Sequence, residues 1–123
     1  MHWSERYLDI PHAELDCAQL VERVLHEQFS RDVRFPRRER DDLFHRAGLI
    51  TRHASDFAKP IDTPYDGCGV LMLARGRQAH IGLYCAIEGG RVLHSDSAFG
   101  SSVCMPLAAL QTTIKIKGWY AWL

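Results

Sequence analysis

Hydrophobic positions change period about halfway along the chain. From Ala13 to Phe29 the apolar residues Cys17, Leu20, Val21, Val24, Leu25 and Phe29 recur at helical spacing. Asp16 lies in the predicted first turn, where a carboxylate suits the positive end of the helix dipole. Gln19, Glu22, Arg23 and Glu27 fall on the opposite face. Before this helix, Tyr7 to Pro11 reads as extended or turn-like, because Pro11 pushes Ile10 away from helix. After it, Ser30 to His53 is polar, with room for a short exposed helix from Arg37 to Ala47. Its alternating charges mark a solvated face rather than a basic patch. Asp62 to Gly69, rich in Pro, Asp and Gly, reads as loop.

The second half has the patterning of sheet. Val70 to Ala74 is a short apolar run, and Gly76-Arg77 marks a turn. Ala79 to Ile87 and Arg91 to Ser95 form a hairpin around Glu88-Gly89-Gly90. Ser101 to Met105 is a further strand, and Pro106 to Leu110 a brief turn. Thr112 to Trp122 is the last strand. A helix-rich first half before an antiparallel sheet of about five strands predicts an α+β fold.

At 123 residues the chain fits one domain, and 46% hydrophobic with 24% charged residues is ordinary globular composition. Lys plus Arg equals Asp plus Glu, each 15, so nothing favours a nucleic-acid partner. No apolar run is long enough for a membrane span. No secretory signal opens the chain, so synthesis and folding in a cytoplasm are expected, with free thiols at Cys17, Cys68, Cys85 and Cys104. None of the four lies in a CxxC pair.

Cys17 in the first helical turn is the candidate nucleophile. The helix dipole favours its thiolate, and the free N–H groups there could hold an oxyanion. His80, at the mouth of a strand, is the candidate base. His94, on the returning strand, is the candidate third residue, with Ser95 and Asp96 as competitors. His80 and His94 share a sheet face only if paired hairpin positions sum to an even number, which requires an odd-length loop. Zinc held by Cys17, His80 and His94 would lack a fourth ligand, so catalysis is the favoured reading. His12 near Cys17 reads as a cleft or loop residue. His2, His26, His45 and His53 show no partner pattern and are expected on the surface. Cys85 is expected in the core and Cys68 in a loop, while Tyr84, Trp119 and Trp122 read as core or interface.

Asp16-Cys17-Ala18-Gln19-Leu20-Val21, His80-Ile81-Gly82-Leu83-Tyr84 and Val92-Leu93-His94-Ser95 occur in an order and spacing that resemble the NlpC-type cell-wall cysteine peptidases. Nearly the whole chain is covered. The closest likeness is to small members encoded near bacteriophage tail genes, which open on a segment like Trp3-Ser4-Glu5-Arg6-Tyr7 and end on a strand like Gly118-Trp119-Tyr120. The resemblance implies a papain-like fold and a thiol amidase acting on peptidoglycan stem peptides. Cys17, His80 and His94 would be catalytic; Tyr7, His12 and Asp16 would line the substrate site. It implies no metal or organic cofactor, a phage or prophage tail as context, other tail proteins as partners, and association with the virion. Ala18-Gln19 stands where the family carries small residues. That difference favours the alternative of a structural tail component without activity on the same fold. A papain-like thiol acyltransferase is a further alternative.

Overall fold

The computed structural model describes residues 2–35, 58–74 and 78–123, with side chains excepted at 74, 78 and 79. The predicted helix at 37–47 and the turn at 76–77 lie outside the described residues. A 3-10 helix, Trp3–Tyr7, leads through a turn into α1, Cys17–Phe29. The strands follow as β1 (Ala58–Ile61), β2 (Gly69–Ala74), β3 (Gln78–Cys85), β4 (Arg91–Ser95), β5 (Ser102–Pro106) and β6 (Ile114–Trp122). A single turn of helix, α2 (Leu107–Leu110), joins the last two.

α1 begins at Cys17, four residues later than its hydrophobic period suggests. Asp16 caps the helix by accepting from the Gln19 N–H, and the Gln19 side chain accepts from the Asp16 N–H. This reciprocal box fixes the start. The preceding residues close a separate turn, in which Glu14 and Leu15 both donate to the Pro11 carbonyl. Cys17 is therefore the first residue of the helix, in the first turn as expected.

The six strands form one antiparallel sheet in the order β1-β6-β2-β3-β4-β5. The expected count was about five; β1 is the additional strand. It is a four-residue edge strand containing Pro60, where a missing N–H is tolerated. Among the described residues the fold is thus α+β, with α1 laid on a curled antiparallel sheet.

Alternation along the strands separates two apolar clusters. Leu20, Val21, Val24 and Leu25 of α1 pack with Cys17, Ile81, Leu83, Cys85 and Leu93 on one face. Val70, Met72, Val92, Leu110 and Ile114 form the other cluster, with Tyr84 and Trp119 against it. Tyr84 and Trp119, both partly buried against this cluster, meet edge to face at 5.4 Å. No helix among the described residues is long and apolar enough to cross a membrane.

Candidate functional site

The β3–β4 register decides which residues meet. Leu83 pairs with Leu93, Tyr84 with Val92 and Cys85 with Arg91. Paired positions sum to an even number, so the loop is odd in length and His80 and His94 share a face. Their rings meet there: His80 Nε2 lies 2.8 Å from His94 Nδ1. The rings are nearly perpendicular, with centroids 5.0 Å apart. His94 is fully buried and His80 nearly so.

Gly82 allows this approach. A Cβ at that position would lie 2.7 Å from the Leu93 carbonyl oxygen and 3.1 Å from His94 Cβ. β3 thus closes on β4 two residues beyond His80, at a distance no side chain could share. In the run His80-Ile81-Gly82 the glycine is the local signal that the histidine's strand bends tightly onto its neighbour.

Burial holds His94 down at about 4; the nearby Asp96 charge opposes this but is outweighed. His94 is therefore neutral at pH 7. Its other nitrogen, Nε2, is buried without a hydrogen-bond partner among the described residues. The Phe99 ring stands edge-on beside it, centroids 5.9 Å apart.

Asp96 is buried at the same end. One ligand atom each from His80, His94 and Asp96 falls within 4.8 Å of the others, the one such group among the described residues. A tetrahedral zinc would hold two imidazole nitrogens about 3.3 Å apart and unprotonated. The 2.8 Å separation is instead that of two nitrogens sharing a proton.

Ser95, the competing third residue, points to the opposite face. Its hydroxyl donates to the Leu15 carbonyl at 2.8 Å and contacts His12 Nδ1 at 3.0 Å. One hydroxyl proton cannot serve both, so His12 Nδ1 donates. The chain two residues before Cys17 is thereby tied to the residue after His94. Upstream, Pro11 bridges to Ser101, and the His12 N–H donates to the Gly100 carbonyl. The Ser102 hydroxyl donates to the Tyr7 carbonyl and accepts from the Ile10 N–H at 2.9 Å. The entry to α1 is thus sewn to the sheet end that carries the imidazoles.

Cys17 is 2% exposed and packs in the α1 cluster with Ile81 and Leu93. His80 pairs with Met72 across β2–β3 and shares its face. Ile81 and Leu93, which pack with Cys17, are each the chain neighbour of one of the two imidazole residues. Tyr7 is core: 3% exposed, its hydroxyl donates to Glu27 Oε1 at 2.8 Å and accepts from Gln28 Nε2 at 3.0 Å. Burial raises the Tyr7 hydroxyl above its ordinary range. His12 is held by Ser95, and the Asp16 carboxylate by its capping role.

Two polar features escape a reading of sequence alone. His2, expected on the surface, is half-buried, with Nε2 2.8 Å from Asp66 Oδ1. Trp3 Nε1 and the Ala86 N–H also donate to that carboxylate. Burial acts to raise Asp66, but these donors together hold it below the ordinary carboxylate range. Cys68 lies in the loop before β2, as expected, but is fully buried, and burial raises its thiol. Cys85 is core, as its position on the strand suggested. No disulfide links Cys17, Cys68, Cys85 or Cys104. His45 and His53 lie outside the described residues. No family model, curated protein or solved structure matches the chain.

Proposed function

We propose that this chain is a thiol hydrolase that cleaves amide bonds in peptidoglycan stem peptides. The observation that carries the reading is the buried 2.8 Å contact between His80 and His94, with the start of a cysteine-headed helix tied to the next residue, Ser95. An imidazole held from behind by a neutral second imidazole is a base of fixed orientation. In the productive tautomer His80 Nε2–H donates to His94 Nδ1. That leaves Nδ1 of His80 to take the thiol proton and later return it to the leaving amine. Cys17 attacks the carbonyl. The backbone N–H groups of the first turn of α1 would receive the oxyanion.

The reading carries one geometric requirement. The ladder between β3 and β4 ends at Leu83–Leu93, while β3 stays paired with β2 through His80 and β4 with β5 through Ser95. Cys17 and His80 must come within proton-transfer reach at that end of the hairpin. The substrate class and the phage-tail context rest on the resemblance of the three motifs to the NlpC-type peptidases, and the papain-like assignment rests on the same ground. Within that reading Tyr7 supports the site from the core, while His12 and Asp16 border it.

The near-complete burial of Cys17 favours a second reading, a structural tail component on this fold without activity. Digestion of purified sacculi separates the two. The hydrolase releases muropeptide fragments, and Cys17→Ala reduces release by roughly a thousand-fold or more, the scale of removing a catalytic nucleophile. Cys68→Ala leaves release intact. Equal release by wild-type protein and Cys17→Ala, or none by either, would exclude the enzyme reading.

A further inference from the structure

The turn end of the β3–β4 hairpin carries a second sulfur centre that the hydrolase reading does not use. Cys85 closes β3, and Cys104 sits mid-strand in β5. Their sulfurs are 3.9 Å apart, with the Cys104 thiol donating to Cys85 Sγ. The Cys85 thiol in turn donates to the Leu83 carbonyl at 3.7 Å, and once Cys104 is a thiolate that S–H can turn the 3.9 Å to Cys104 Sγ. Cys85 is fully buried, whereas Cys104 is half-buried and is the one thiol of the four that solvent reaches.

Arg91 is fixed beside the pair. It stands opposite Cys85 in the β3–β4 register, and its Nη1 donates to the Cys104 carbonyl oxygen at 2.8 Å. Glu88 Oε2 lies 2.9 Å from Arg91 Nε and is mostly exposed. Cys104 therefore has a thiol donor on one side, a guanidinium anchored to its own backbone on the other, and a path to water. Those three conditions distinguish reactive from inert cysteines. The shared hydrogen bond also divides the pair: the donor from Cys85 first, then Ser4 and Arg91, lowers Cys104 against its burial, while the same bond raises Cys85.

We propose that Cys104 is a modification site, the thiol of this chain that a small hydroperoxide oxidises first, giving a sulfenic acid. The Cys104 thiolate attacks the peroxide oxygen. An S–O bond forms as the O–O bond breaks. Sulfur gives up two electrons, and the departing hydroxide or alkoxide takes a proton from solvent. The sulfenic acid is the stored product. A disulfide would need the two sulfurs to close from 3.9 Å to about 2.05 Å, although β4 lies between their strands.

The test is treatment of the full chain with hydrogen peroxide in the presence of dimedone, followed by peptide mapping. Cys104 carries the adduct at roughly ten times the occupancy of any other cysteine, the margin expected between an activated and a buried thiol. Cys104→Ser removes it. Cys85→Ala, checked for native circular dichroism, slows it several-fold. Adduct found first on Cys17, adduct spread evenly, a Cys85–Cys104 disulfide in its place, or no adduct would each overturn the proposal. The wild-type map decides even if Cys85→Ala fails to fold. The inference is independent of hydrolysis, because sacculus digestion reads Cys17 and the dimedone map reads Cys104.

Discussion

The two ends of the β3–β4 hairpin are built from the same pair of strands yet treat protons in opposite ways. At the open end, burial outweighs the one nearby negative charge, and His94 stays neutral far below the ordinary imidazole range. At the turn end, a thiol donor and a guanidinium outweigh burial, and Cys104 is pulled toward its anion. Burial acts in both places. What differs is whether a partner has been supplied for the charged form. The open end supplies a neutral ring, which suits orienting a base. The turn end supplies donors and solvent, which suits a standing thiolate.

The strongest challenge to this contrast is acid. His94 titrates near 4 when folded and near 6.5 when unfolded. Between those values the unfolded chain binds the extra proton. The stability His94 confers is therefore complete above about pH 6.5 and drains away as pH falls toward 4, by about 3 kcal/mol in all. Urea unfolding at pH 7, 5.5 and 4.5 should follow that slope. His94→Phe should flatten the slope while costing stability at pH 7, since His80 then loses its partner. A slope unchanged by His94→Phe would assign acid sensitivity elsewhere and dissolve the contrast.

Ser95→Ala probes the joint between the helix entry and the imidazole strand. It removes a buried hydroxyl that donates to Leu15 and accepts from His12. The expected loss is about 2 kcal/mol in urea unfolding. Faster alkylation of Cys17 should accompany it, with Cys104 unaffected. Equal acceleration at both thiols would mean global loosening rather than release of one end.

Much of this arrangement could be read from the residues. The helix, the hairpin and the condition on its loop came from period and parity, and the observed register meets that condition. β1 could not be read, because Ala58-Lys59-Pro60-Ile61 has neither length nor alternation and exists only by pairing with β6. The sulfur pair could not be read either. Cys85 and Cys104 lie on strands that are not neighbours, and only the curl of the sheet brings them together. The burial of Cys17 among Leu20, Val21, Ile81 and Leu93 was likewise hidden, because a helical period does not say which strands the helix covers. Gln19 was assigned to the polar face, whereas spacing from Asp16 alone would have identified it as the partner in a capping box.

That box gives the smallest test of how the open end is held. Asp16→Ala removes the acceptor for the Gln19 N–H and should cost about 1 kcal/mol, the usual worth of an N-cap. The start of α1 then keeps the backbone half of the box, Asp16 N–H to Gln19, and the Ser95–Leu15 bond. Combining Asp16→Ala with Ser95→Ala asks whether the two devices act on one turn or two. The residues they fix, Leu15 and Cys17, are two apart, so the losses should exceed their sum as the first turn frays. Strict additivity would mean that cap and strand tie hold separate pieces of chain, and the placement of Cys17 would then depend on the helix alone.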